Sequence, residues 1–404
     1  MESAFSAVSF LLLMGLFPSP ARADTVTVTG EVVDADTGAP LACRVYIRGT
    51  DGQWHFARSA GAAGSAVTYQ KQNRNNKESV EMHTTLSAHG FAVDLPPGEY
   101  EITVERGKEY FPVTKTATVG TEPMTLRFKL KRWIDMAELG WYSGDTHVHR
   151  TQFAFTKFGE APAAYMDVDT DEKGFTERGW IEYGFQNYYA LLNCGFRLRP
   201  TAGTASGVHP VPLGYGRVYV KLEGGFDYDA WMEGLDEGRS FVTTGPMLFA
   251  KVNGFLPGHI FQQSGEHAPA YSVAGSVRSA HPLESIEIVV NGEVSRAVRP
   301  QNKPMESGAF LNRIDEDISV TTSSWLAVRC FEKTPGNRVR FAHTGPFHVE
   351  VPGRPLHPRR EEIEFLIRRV EKEIERNKEV LPPEAIEEYR RALDAYRKIA
   401  ASSR

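Results

Sequence analysis

Val26, Val28, Gly30 and Val32 alternate with Thr27, Thr29 and Glu31, and the same period of two returns at Tyr100, Ile102 and Val104. Alternation of this kind sets one face of a strand in a core and the other in water. With turn clusters such as Asp36-Thr37-Gly38 and Pro96-Pro97-Gly98 between the runs, residues 24–131 read as an antiparallel β-sandwich. The polar stretch Ala60 to Met82 reads as an exposed loop, and His55, His83 and His89 as surface or hydrogen-bonded histidines. Alternation resumes late in the chain, at Ser285 to Val290 and Ser324 to Cys330, so residues 267–352 read as a small Ig-like β-sandwich. Asn253-Gly254 and Asn291-Gly292 are two-residue hairpin turns, because both residues of such a turn need positive φ.

Helical spacing governs the rest. Trp180 to Asn193 predicts an aromatic-rich helix ended by Cys194-Gly195, and Asp229 to Glu237 a second one. In residues 353–404, Ile363, Leu366, Ile367, Val370 and Ile374, then Ile386, Tyr389, Leu393, Tyr396 and Ile399, form two apolar stripes separated by Leu381-Pro382-Pro383. They predict an antiparallel helical hairpin whose stripe packs on the body or on a second copy of the chain.

The first residues run apolar from Ala4 to Phe17, followed by Pro18, Pro20 and the small-residue pattern Ala21-Arg22-Ala23. This is the pattern of a secretory signal over residues 1–23, cleaved after Ala23, and points to an exported protein, periplasmic or extracellular. No other apolar run is long enough to span a membrane. The 404 residues are 41% hydrophobic and 24% charged, as in folded globular proteins. A net charge of -5 argues against a nucleic-acid surface and leaves small molecules or neutral polymers as partners. Three cysteines cannot form a closed disulfide framework, and each reads as a small buried hydrophobe.

Candidate chemistry concentrates in residues 132–266. Ser143-Gly-Asp145-Thr-His147-Val-His149, taken as a strand, places a carboxylate and two imidazoles on one face, a ligand set for Zn, Fe or Mn; a strand with two solvated histidines is the other reading. His209, in the Gly- and Ser-rich loop Arg199 to Pro210, is a further imidazole that faces the same place if the loop folds over it. Glu182, framed by Trp180, Tyr183 and Phe185, is a candidate third ligand or general base. Arg239, with Thr243, Thr244 and Gly245, is a candidate for holding a substrate anion, against the alternative of a tight strand exit capped by threonine hydroxyls. Asp167-Val-Asp169-Thr-Asp171 lacks the Gly and Glu of a calcium loop, and Ser206 lacks a nucleophile-elbow setting.

Two resemblances follow. Thr25 to Ile47, with the turn Asp36-Thr-Gly38-Ala-Pro40, and Val93 to Tyr100 resemble the carboxypeptidase regulatory-like or transthyretin-like domain of exported proteins, over most of residues 24–131. Gly140 to His149, the Thr201 to Pro210 loop and Gly238 to Pro246 resemble the carbaryl-hydrolase-like branch of the PHP (polymerase and histidinol phosphatase) metallohydrolases. The second resemblance implies a (β/α) barrel with two or three divalent ions and a metal-activated water that attacks an ester, carbamate or phosphoester of a small-molecule substrate. It makes His147 and His149 ligands, with Asp145 beside them. The family's last motif falls on Gly203 to Gly207, where its ligands are absent, and Trp133 to Pro246 is far shorter than the roughly 200 residues a barrel needs. The expected fold is therefore α+β and multidomain: β-sandwich, truncated PHP-like metal domain, second β-sandwich and hairpin, with self-association through the hairpin. The expected function is a metal-dependent hydrolase; the alternatives are an inactive binding or cell-surface module, or a strand that merely braces the fold.

Overall fold

The computed structural model describes residues 24–72, 80–146, 169–171, 174–204, 213–263, 269–334 and 338–403. The alternating N-terminal runs form two facing sheets. In one, Val26–Asp34 lies between Phe91–Leu95, antiparallel, and Met124–Leu130, which runs parallel to it from Val28 opposite Met124 to Asp34 opposite Leu130. The other has the order Ala66–Gln72, Val80–Leu86, Cys43–Gly49, Gly98–Glu105, Val113–Val119. Their inward positions, among them Val28, Val45, Ile47, Phe91, Leu95, Ile102 and Phe128, are fully buried. Part of the polar stretch expected as a loop is instead the hairpin Ala66–Gln72 with Val80–Leu86. His83 is buried there between the rings of Tyr46 and Tyr69, with centroids 5.1 and 5.4 Å away.

Beyond Trp133 the architecture departs from the expected fold class. Trp141–Gly144, Arg217–Lys221 and Ser240–Thr243 pair antiparallel with one another and then with Val339–Thr344. They extend the sheet that continues through Ser324–Lys333, Leu283–Val290 and Glu293–Val298. A (β/α) unit needs parallel strands joined by crossover helices, and these pairings exclude it. The described residues are β-rich, 43% strand against 19% helix. A second sheet, Met247–Val252, Ala270–Ser279, Phe310–Ser319 and Lys303–Pro304, faces the long one. Trp141, Phe241, Met247, Val273, Ile286, Ile314 and Phe347 fill the space between them as one core. Described residues from both segments, Trp133 to Val351, contribute to this core, so the described strands of the segment expected to hold a metal domain form the edge of a sandwich.

Helices cover the outer face of the long sheet. α1 (Glu177–Asn193) starts where the Thr176 hydroxyl accepts the Gly179 N–H at 3.1 Å and ends at Cys194. It packs Phe185, Tyr189 and Leu192 on Trp325, Ala327 and Phe331. α2 (Tyr228–Glu237), capped by the Asp227 carboxylate accepting the Ala230 N–H at 2.9 Å, buries Trp231 on Val218 and Val220. The indole of Trp231 also lies over Gly144, where a Cβ would come within 2.6 Å of it. α3 (Arg360–Asn377) and α4 (Pro383–Ala400) form the hairpin, and Phe365, Leu366 and Tyr396 pack on Ala190 and Tyr183 of α1. Part of the apolar stripe is therefore covered by the body of the same chain.

A buried polar seam joins the N-terminal sandwich to the rest. The Lys108 ammonium donates to the carbonyls of Tyr215 at 2.7 Å and Thr243 at 3.0 Å, and burial pushes its pKa well below the usual lysine range. Leu213 donates its N–H to Glu81 at 2.6 Å, Arg44 donates to the Leu213 carbonyl at 2.5 Å, and Tyr46 donates to Glu105 at 3.0 Å. Among the described residues, no helix is long and apolar enough to cross a membrane.

Candidate functional site

Between α1 and the long sheet lies a cleft of about 500 Å3, a volume within the range of small-molecule sites. One wall is the α1 face Ile181, Gly184, Phe185 and Tyr188. The floor is Val242, Phe341 and His343, and the other wall is the extended segment Leu198 to Ala202. Period two on Val339–Thr344 puts Phe341 and His343 on the sheet face that looks at α1. Gly184 opens the space: it sits in mid-helix, where glycine is unfavourable, and a Cβ built on it meets nothing within 4 Å.

His343 and Tyr188, polar groups deep in this lining, are already engaged. Nδ1 of His343 lies 2.7 Å from the carbonyl of Thr344, which only accepts, so Nδ1 carries the proton. Nε2 then accepts from the Tyr189 hydroxyl at 2.8 Å, and that hydroxyl accepts from Arg329 at 3.5 Å. Burial holds the His343 pKa down to about 4, so the ring is neutral and has no lone pair left for a substrate proton. The Tyr188 hydroxyl donates to the Leu198 carbonyl at 2.8 Å, and burial pushes its pKa up. The arrangement can bind an apolar body, but these groups supply no activated nucleophile or free base. The cysteines are no better placed: Cys43 and Cys330 are buried, and burial pushes the Cys43 and Cys194 thiols up to about 12.

Asp145 connects to this cleft from behind. The expected metal-bearing strand ends at Gly144, so Asp145 is not on a strand face. Its carboxylate accepts the Thr204 N–H, with both oxygens at 3.3 Å. Thr146 donates its N–H and its hydroxyl to the Ala202 carbonyl at 3.1 and 3.0 Å. Together they tie the 201–204 wall to the sheet edge. Asp145 also lies within electrostatic range of Lys108, whose charged form it favours.

The other sequence candidates lie elsewhere. His147, His149 and His209 fall outside the described residues. Glu182 is on α1 but off the cleft, accepting from Arg178 Nε at 2.7 Å and from the Asp169 N–H at 3.1 Å. Arg239 pairs with Glu237 at the end of α2, and its N–H donates to the Gly234 carbonyl at 2.9 Å. Thr243 donates its hydroxyl to Pro246 at 2.6 Å and accepts the Gly245 N–H at 2.9 Å, which is the geometry of a tight strand exit. Among the described residues, no group of three His, Cys, Asp or Glu side chains could hold a metal ion. Sequence reasoning passed over Gly184, Phe341 and His343. The glycine in the middle of an aromatic helix and the 339, 341, 343 alternation were the available signals.

No family model matches the chain, and no curated protein matches it. Similar solved structures include the major pilin subunit of Bacillus cereus, at 8% identity and a TM-score of 0.28, covering 81% of this chain and 69% of that one. A DUF3823 family protein from Bacteroides ovatus aligns at 7% identity and a TM-score of 0.17, covering 80% of this chain and 98% of that one. Likeness this weak assigns neither family nor function. The expected membership in the PHP metallohydrolases, with its truncated barrel, and the carboxypeptidase regulatory-like reading of residues 24–131 are corrected: neither family is matched, and the described strands from Trp141 onward pair almost entirely antiparallel in a sandwich rather than as a (β/α) barrel.

Proposed function

We propose that this chain is a non-catalytic binding module of an exported protein, and that its ligand lies in the cleft between α1 and the long sheet. The observation that carries this reading is the lining itself: an apolar space of about 500 Å3 whose histidine and tyrosine are spent on internal hydrogen bonds. Specific small-molecule sites have this balance of apolar wall to few polar groups. The signal-like N-terminus supports export with cleavage after Ala23, and the charge balance supports a small-molecule or neutral partner rather than nucleic acid.

The test is binding of an uncharged fluorophore, N-phenyl-1-naphthylamine, to the mature protein and to Gly184→Leu, which fills the cleft from the helix side. The expected result is saturable fluorescence enhancement in the wild type that the variant loses. Equal binding by both, or none by the wild type, refutes the reading. Metal analysis by mass spectrometry is the companion measurement. Stoichiometric Zn, Fe or Mn that a His147→Ala/His149→Ala variant loses would also overturn it.

A further inference from the structure

The cleft has a charge at its mouth that its interior does not use. Two arginines flank the exposed Leu198. Arg197 is paired with Glu350, which also accepts from Gln262 at 2.5 Å. Arg199 gives one N–H to the Arg197 carbonyl at 2.9 Å and has no acid partner among the described residues. No Asp or Glu belongs to the described lining. The Arg199 stem is confined while its guanidinium stays exposed at the rim: Tyr188 fixes the neighbouring Leu198 carbonyl, and Gly238 runs so close to the stem that a Cβ there would lie 3.0 Å from Arg199 Cγ. Burial and Tyr189 raise the Tyr188 pKa against a smaller lowering by Arg199, and burial and then Arg197 lower that of His348 with Arg199 adding to it, so Arg199 lies within electrostatic range of both.

We infer that the ligand of this cleft is an amphipathic organic anion, an aromatic or long-chain carboxylate or sulfonate, with its apolar body against Phe185, Tyr188 and Phe341 and its anionic group on Arg199. The inference rests on the cleft being the binding site and adds the ligand's charge. A guanidinium fork matches such a group with two N–H donors, and a charge-assisted pair beside an apolar wall is stronger than one in open water. A neutral ligand of the same shape would leave Arg199 solvated and gain nothing from it.

Two probes sharing one ring system separate charge from shape: 8-anilinonaphthalene-1-sulfonate and the uncharged N-phenyl-1-naphthylamine, each titrated into the mature wild type, Arg199→Gln, Arg199→Lys, Gly184→Leu and the mild control Gly184→Ala. Circular dichroism and melting of each variant establish that it folds. The expected result is that Arg199→Gln weakens the sulfonate by roughly tenfold or more, with the neutral probe changed less than twofold. Arg199→Lys should recover part of the loss, and raising the salt from 50 to 500 mM should weaken only the sulfonate. Gly184→Leu should abolish both. If both probes bind, Gly184→Leu removes both and Arg199→Gln changes neither or changes both alike, the charge assignment fails while the cleft remains a binding site. If wild type binds neither probe, or Gly184→Leu binds both, the cleft reading fails and takes this inference with it. A dimer in sedimentation that Gly184→Leu dissolves would assign the cleft to a second copy of the chain and overturn both.

Discussion

Replacing Asn193 by Ala should be among the costliest single changes outside the sandwich cores. Its side chain is buried at the point where α1, the Asn291-Gly292 hairpin, Trp325 and the start of α3 meet. Asn193 Oδ1 accepts from the Trp325 indole at 2.7 Å, and Nδ2 donates to the Asn291 carbonyl at 3.0 Å and to Glu362 at 2.8 Å. Truncation leaves the fully buried Trp325 N–H without its acceptor, which costs about 1–3 kcal/mol, and takes one donor from each of two acceptors at about 1 kcal/mol apiece. The sum, about 3–5 kcal/mol, is a large part of the 5–15 kcal/mol typical of whole-protein stability. Urea unfolding followed by circular dichroism measures it. Asn193→Leu restores volume without restoring hydrogen bonds, so it should cost nearly as much as Ala. In the Asn193→Ala background, Trp325→Phe should cost clearly less than it does alone, because the orphaned donor is gone. Asn193→Asp places a second carboxylate against Glu362. Their repulsion raises the folded pKa above the unfolded one, so that variant's deficit should grow as pH rises. A loss below about 1 kcal/mol for Asn193→Ala, or additive behaviour with Trp325→Phe, would refute the claim that this junction is dry and closed.

Three further outcomes concern Glu332, which is buried on Ser324–Lys333 and accepts the His281 N–H at 2.8 Å, and the His343 and Asp145 described above. Burial raises the folded pKa of Glu332 to about 7, so the folded state holds a proton that the unfolded state releases near 4.5; stability is lost as pH rises between those values, and Glu332→Gln should gain up to about 3 kcal/mol on wild type from pH 4 to pH 8 in urea midpoints, with no such trend refuting the assignment. His343 is opposite in sign: burial lowers its folded pKa to about 4 against 6.5 unfolded, so its contribution is complete above 6.5 and is lost as pH falls towards 4. Imidazole NMR should show the His343 ring, identified by the signals that His343→Gln loses, neutral and Nδ1-protonated at pH 5; titration of that ring near 6.5 would contradict it. Asp145→Ala removes the acceptor for Thr204, so the 201–204 wall should loosen. N-phenyl-1-naphthylamine affinity should fall several-fold while the melting temperature changes little; unchanged affinity would dissociate Asp145 from the cleft.

What the sequence made legible was local. The Asn253 and Asn291 turns have both central φ values positive, as their Asn-Gly pairs require, and the break at Leu381-Pro382-Pro383 separates α3 from α4. Pairing over long distances was not legible. Trp141–Gly144 and Val339–Thr344 belong to one sheet across some 200 residues of chain, and strand alternation is the same whether the partner lies in the same domain or the next. The Asp-x-His-x-His run invited a strand over its whole length, yet the described strand stops at Gly144, where Trp231 crosses it, and Asp145 follows outside it; His147 and His149 lie outside the described residues. Arg239 and Arg199 show the limit on the site side: each precedes or follows a glycine- or proline-marked loop. Only the fold reveals that Glu237 neutralises the first while no described acid reaches the second.

The parallel pairing of Val26–Asp34 with Met124–Leu130 bears on how the protein carries load. One is the first described strand and the other the last of the first sandwich, so tension applied between residue 24 and the residues after Leu130 pulls the two in opposite directions along their lengths. Every hydrogen bond from Val28 to Asp34 is then strained at once, in shear, instead of opening one after another as in a hairpin peeled from its end. Force along this pair therefore meets more resistance than the same number of hydrogen bonds would offer if opened singly, and the first sandwich is mechanically anisotropic: stiff along β-strand Val26–Asp34 and weaker across it.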